Sequence, residues 1–201
     1  MKSMPNILTI LRLLACPILI FLFVYTNYIL NDIWILLIFV LACLTDFFDG
    51  YLARKENFKS NFGKVLDPIA DKALVITMFI MLTLYSQISG VHERAGYPLS
   101  NMPPITIAFY TMIIREIIIS SLRFHLGNSE KNINVSQLSK YKTFIQMLAI
   151  GSILIHDIVI NDWSIGKVVQ VIAYSLTWFA TFISIVTGIQ HFKTYLKLKQ
   201  K

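Results

Sequence analysis

Four aspartates fall inside residues 46–71, which read DFFDGYLARKENFKSNFGKVLDPIAD. Asp46 and Asp49 are spaced i, i+3, and Asp67 and Asp71 are spaced i, i+4. Each pair therefore shares a face if its segment is helical. Carboxylate oxygens are hard ligands that suit Mg2+, Mn2+ or Ca2+. Two such ions would neutralise the cluster and could hold a phosphate or diphosphate. Arg54, Lys55, Lys59 and Lys64 lie between the two pairs and suit an anionic headgroup. Gly50, Ala53 and Gly63 leave space for a ligand against the backbone. Pro68 is expected to start or kink the third helix.

Apolar runs bracket this window on both sides, so the carboxylates lie at or inside a membrane boundary, where an uncompensated anion is costly. The chain has 201 residues, 56% of them hydrophobic and 14% charged. Its mean hydropathy is +0.64. Soluble domains carry nearer a quarter charged residues, so an ordinary soluble fold is excluded. The expectation is an all-α polytopic membrane protein forming one domain over residues 1–201. Six apolar segments approach the ~20 residues a helix needs to cross a bilayer. They cover roughly 7–26, 33–53, 65–86, 104–126, 143–160 and 166–190. Polar connections are expected at 54–64, 87–103 and 127–142, with a tight turn at Asn161 and Asp162. The apolar N-terminal run, interrupted by Arg12 and without a cleavage signature, reads as a retained first transmembrane helix.

The net charge of +7 does not indicate a nucleic-acid partner, because the Lys and Arg fall in the connections. One side collects residues such as Lys2, Arg54, Lys64, Lys131, Lys140, Lys142 and Lys193, whereas Arg94 and Lys167 fall on the other. With six spans both termini are cytoplasmic, and the Asp window opens to the cytoplasm. Cys16 and Cys43 sit in apolar segments without a CxxC partner and read as small buried hydrophobes. The four histidines lack paired ligand spacing and read as headgroup-level or loop residues. The tail after Gln190 reads equally as an arm on anionic headgroups or as a solvated continuation of the last helix.

Further charges lie near membrane depth: Glu116 among the acids, and Arg12, Lys72, Arg115 and Arg123 among the bases. Asn6, Thr9 and Arg12 read equally as residues reaching the active site from the first helix or as a structural cap and an interfacial anchor. Arg115 beside Glu116 invites a purely structural ion pair. Arg115 and Arg123 are eight residues apart, about two helical turns, and so share a face. Arg115, Arg123, Lys140 and Lys142 are the candidates for binding a phosphate through charge-assisted bonds. For Lys140 and Lys142 the alternative is ordinary positive charge on the cytoplasmic side.

The spacing Asp46-x2-Asp49-Gly50-x2-Ala53-Arg54-x8-Gly63-x3-Asp67-x3-Asp71 resembles the signature of the CDP-alcohol phosphotransferases. That resemblance implies six transmembrane helices, a site for divalent metal, two Mg2+ or Mn2+ ions, and cleavage of a CDP-activated lipid to release CMP. It makes Asp46, Asp49, Asp67 and Asp71 metal ligands, with Asp71 also the general base. It assigns Asp46, Asp49, Gly50, Ala53, Arg54, Gly63 and Asp67 to binding CDP. Residues 5–12 (PNILTILR), 115–123 (REIIISSLR) and 140–143 (KYKT) are similar to family members that join CDP-diacylglycerol to glycerol 3-phosphate. Ser139 departs from that pattern, where glycine is expected. The resemblance also implies a homodimer in a bacterial inner membrane, among membrane lipids.

Serine, inositol phosphate or phosphatidylglycerol as acceptor would preserve the same Asp signature. A cation carrier would spread polar residues across the bilayer depth, and here they cluster at one side. A prenyltransferase with Asp-rich motifs would repeat its motif in two halves of a longer chain, and this sequence has one composite site.

Overall fold

Each apolar segment read from the sequence folds as a helix. The computed structural model describes residues 4–25, 29–56, 61–88, 103–126, 137–159 and 162–199, with side chains described over 10–25, 32–45, 70, 72–84, 104–122, 141–159, 162 and 164–196. Six α-helices and no strands occur among the described residues: α1 (Met4–Tyr25), α2 (Ile29–Glu56), α3 (Asn61–Ile88), α4 (Pro103–Leu126), α5 (Gln137–Val159) and α6 (Trp163–Lys199). The chain is all-α.

Two expected boundaries move. Arg54 and Lys55 belong to the end of α2, and Gly63 and Lys64 to the start of α3, so the basic connection is mostly helical. Lys140 and Lys142 lie on α5, which begins at Gln137, and not in a polar loop. Polar residues at a helix end do not interrupt the backbone ladder, so hydropathy alone set both boundaries too narrowly. Pro68 likewise lies well inside α3, beyond its first turn, and does not start it. The expected loop at 87–103 falls almost entirely outside the described residues.

Apolar residues surround most of these helices, which is the pattern of helices immersed in a nonaqueous medium. On α1, Arg12, Ala15, Cys16, Leu19 and Phe23 are buried, while Leu11, Leu14, Ile18, Phe21 and Val24 face outward. On α6, Val171, Phe179, Phe182 and Ile189 face outward in the same way. An outer surface this apolar fits lipid and not water, and the chain is a membrane protein. Among the described residues, three helical stretches are long and apolar enough to cross a bilayer: Pro104–Leu122, Tyr141–Val159 and Ser164–Leu196. Ile10–Tyr25, Asp32–Thr45 and Lys72–Leu84 are shorter apolar stretches.

The buried core draws residues from each of these helices, with α1 packed on α2 and α3, α2 on α5, and α6 on α4 and α5. Phe79 of α3 meets Phe109 of α4 with ring centroids 5.1 Å apart. The inner face of α6 is built from small residues: Ala173, Thr177, Ala180, Thr181, Ser184 and Thr187 are all buried. Small residues let α4 and α5 approach closely. The Thr177 and Thr181 hydroxyls donate back to the carbonyls of Ala173 and Thr177, both at 2.8 Å, so neither is left unsatisfied.

The tight turn expected at Asp162 is present. Its carboxylate accepts from the backbone N–H groups of Ser164 and Ile165 at 3.1 and 3.2 Å and so caps α6. The Ile165 N–H, with help from the Ser164 hydroxyl, holds this carboxyl below the usual carboxylate range. From that cap α6 runs unbroken for 37 residues, about 55 Å at 1.5 Å per residue. The C-terminal segment through Lys199 thus continues the last helix, in keeping with the second reading of the tail.

Truncating the buried ring in Phe79→Ala is expected to cost about 3–5 kcal/mol. The outward-facing Phe182→Ala should change little. Thermal unfolding of the two variants in the same detergent checks this difference.

Candidate active site

The carboxylate window occupies the end of α2 and the beginning of α3. Both segments are helical through their pairs, so Asp46 and Asp49 share one face of α2, and Asp67 and Asp71 share one face of α3. The side chains of these four aspartates, and those of Gly50, Ala53, Arg54 and Gly63, lie outside the described residues. So do the side chains of Arg123 and Lys140, although their backbones belong to α4 and α5. Hard carboxylate oxygens on two consecutive helices are a donor set that fits divalent cations.

Immediately after Asp71, the described side chains form a connected polar cluster. Lys72 Nζ of α3 donates to the Ser120 hydroxyl of α4 at 2.7 Å, and that hydroxyl donates to the Glu116 backbone carbonyl at 2.6 Å. Glu116 is the hub. Its Oε1 accepts from Arg115 Nη1 at 2.9 Å and from Lys142 Nζ of α5. Arg115 then reaches α6, where Nε donates to the Ser184 carbonyl at 2.9 Å and Nη2 to the Thr187 hydroxyl at 2.8 Å. Residues from α3, α4, α5 and α6 thereby meet at one level of the bundle.

This arrangement decides two questions left open by the sequence. Arg115 and Glu116 do form an ion pair, but as part of a cluster spanning four helices. Lys142 is only 5% exposed, which removes the reading of it as an ordinary charge at the membrane surface. Its ammonium is held inside the bundle by a carboxylate from another helix. Arg12 is just 1% exposed, so it is not an interfacial anchor that snorkels to water. His156 is also buried, in the last turn of α5 and not in a loop, with Nδ1 3.2 Å from Asp157 Oδ1.

Several participants carried no sequence signal of their own. Ser120, Ser184 and Thr187 are ordinary polar residues until the helices pack. The spacing of Thr177, Thr181, Ser184 and Thr187, at three to four residues, was the available clue to a polar stripe on one face of α6. Gln146 lies one turn beyond Lys142 on α5. Its side-chain nitrogen and the Ser184 hydroxyl are buried without hydrogen-bond partners among the described residues. Both leave donor capacity near the cationic cluster.

Because Glu116 satisfies two buried cations, Glu116→Ala is expected to destabilise the fold by about 3–5 kcal/mol. A lowered midpoint of detergent-based thermal unfolding is the readout. A wild-type midpoint would show that the cluster contributes nothing to the fold.

The chain as a whole is similar to known proteins. The family described as CDP-alcohol phosphatidyltransferase matches residues 2–186. A relative from Rickettsia typhi is 39% identical over 194 residues, covering 96% of this chain and 97% of its own. One from Haemophilus influenzae is 34% identical over 192 residues, covering 94% and 91%. One from Wigglesworthia glossinidia brevipalpis is 44% identical over 154 residues, covering 76% of each. All three are named CDP-diacylglycerol–glycerol-3-phosphate 3-phosphatidyltransferase. With its helix-borne carboxylate pairs inside a family match over almost the whole chain, this protein belongs to the CDP-alcohol phosphatidyltransferase family.

Proposed function

We propose that the protein transfers the phosphatidyl group of CDP-diacylglycerol to glycerol 3-phosphate, releasing CMP and forming phosphatidylglycerophosphate. It is a transferase of phospholipid biosynthesis. The observation that carries the acceptor is the near full-length similarity to relatives named for that substrate. The cationic cluster of α3, α4 and α5 supports it, since a phosphate-bearing acceptor needs such groups.

Asp46, Asp49, Asp67 and Asp71 are the residues that would hold two divalent cations, Mg2+ or Mn2+. Bound there, the ions would neutralise charge on the CDP diphosphate and on departing CMP. Gly50, Ala53, Arg54 and Gly63, with Asp46, Asp49 and Asp67, would line the CDP side. Asp71 would accept the proton from the C1 hydroxyl of glycerol 3-phosphate. The alcohol oxygen then bonds to the phosphorus that carries diacylglycerol, and the bond from that phosphorus to the CMP oxygen breaks. Arg115, Arg123, Lys140 and Lys142 would hold the acceptor's phosphate through charge-assisted hydrogen bonds.

The same proposal sets six helices across a bacterial inner membrane, with both termini and the active site on the cytoplasmic side. The distribution of Lys and Arg supports that orientation. Assembly as a homodimer among membrane lipids is proposed from the family resemblance.

Purified protein given CDP-diacylglycerol should release CMP only with glycerol 3-phosphate and with Mg2+ or Mn2+. Release driven instead by serine, inositol phosphate or phosphatidylglycerol would overturn the acceptor. Full activity after chelation would overturn the metal assignment. Asp71→Asn should lower kcat by about 10²–10⁴-fold if Asp71 is the base. Arg123→Ala should raise the KM for glycerol 3-phosphate about tenfold or more, and a wild-type KM removes Arg123 from the site.

A further inference from the structure

Arg115 leaves α4 and lies across the surface of α6, directly over Gly188. A Cβ built at Gly188 would stand 3.2 Å from Arg115 Cγ, 3.2 Å from its Nε and 3.8 Å from its Cδ. The first two separations are closer than ordinary van der Waals contact, and the displaced atoms include the one that donates to the Ser184 carbonyl.

The backbone gives no other reason for glycine here. Position 188 is in the interior of α6 with an ordinary helical φ, where alanine is favoured over glycine by about 1 kcal/mol. Side chains on a helix tilt toward its N-terminus. A Cβ at 188 would therefore point toward the turn that carries the Ser184 carbonyl, into the space where Arg115 lies. Beyond the helix ladder, that carbonyl accepts from Arg115 Nε at 2.9 Å, and the Thr187 hydroxyl stands 3.0 Å from it. The Thr187 hydroxyl takes the next guanidinium nitrogen, Nη2, at 2.8 Å. The third, Nη1, is directed to Glu116, which also holds Lys142.

We infer that Gly188, the Ser184 carbonyl and the Thr187 hydroxyl form a seat on α6 that sets Arg115 and, through Glu116, Lys142 for the acceptor's phosphate. Gly188 and Thr187 are thus positioning residues for the glycerol 3-phosphate half of the reaction. They touch no substrate. α6 carries none of the family's carboxylates, yet it fixes the cationic side of the site. The inference rests on the proposed role of Arg115 and Lys142 in holding the acceptor.

The test is steady-state kinetics of the full-length purified protein, varying each substrate in turn. Gly188→Ala should raise the KM for glycerol 3-phosphate about tenfold and leave the KM for CDP-diacylglycerol at its wild-type value. In an Arg115→Ala background the clash is gone, so adding Gly188→Ala should produce no further rise; this non-additivity is the signature of coupling. Thr187→Val should shift the same KM in the same direction, and Thr187→Ser, which keeps the hydroxyl, should restore it. The Thr187 pair decides the matter if Gly188→Ala does not fold. Should Arg115→Ala raise the acceptor KM while Gly188→Ala and Thr187→Val do not, the seat is refuted and the acceptor reading stands. Should Arg115→Ala leave that KM unchanged, the acceptor reading of Arg115 fails and the seat fails with it. Multiplicative effects of Gly188→Ala and Arg115→Ala, or equal shifts in both substrate KM values, also overturn the inference.

Discussion

A carboxylate buried among apolar helices is tolerated only when cations and hydrogen bonds replace the water it has lost. Glu116 meets that condition by accepting from Arg115 on its own helix and from Lys142 on α5. The constraint also runs the other way, because both cations are themselves nearly enclosed. Arg115 completes its bonding on α6, and Lys72 joins through Ser120 from α3. Glu116 therefore ties four helices together, α5 directly and α6 by way of Arg115 through its carboxylate, and α3 by way of Ser120 through its backbone carbonyl. Dispersion among outward-facing leucines and phenylalanines is non-directional and could not make those ties.

The same cluster suits the division of labour in the proposed reaction. α2 and the start of α3 supply the carboxylates that define the family. Lys72 of α3, Arg115 of α4 and Lys142 of α5 supply charges of the opposite sign, gathered around Glu116. Lys72 follows Asp71 directly on α3, so the two sets are joined by one helical residue step. A transferase acting on two anionic substrates needs both kinds of group at one end of the bundle. The small-residue face of α6 is what lets the cationic set come close enough to be braced.

Much of this was legible in the sequence, for physical reasons that differ by residue. Apolar runs near bilayer length identified all six helices, and the family followed from the spacing of Asp46, Asp49, Asp67 and Asp71 with the glycines between them. The i, i+3 and i, i+4 arithmetic for those pairs is local and needs no tertiary contact. Lys142 was harder. It sits in a polar stretch, KYK, whose hydropathy is that of a cytoplasmic loop, and only packing against Glu116, 26 residues away, turns it inward. Gly188 was invisible because nothing in its neighbourhood requires glycine; its significance comes from a side chain on α4. Arg12 reads by pattern equally as an interfacial anchor or as a residue reaching the active site, since burial of an arginine is set by partners that a single helix does not reveal.

In the proposed reaction Glu116 organises the acceptor side of the site and the Asp window organises the donor side. The direct measurement is a pair of KM values for Glu116→Gln, a change that keeps shape and removes charge. The expected result is a raised KM for glycerol 3-phosphate with the KM for CDP-diacylglycerol unchanged. An unchanged acceptor KM, or a shift confined to CDP-diacylglycerol, would contradict it.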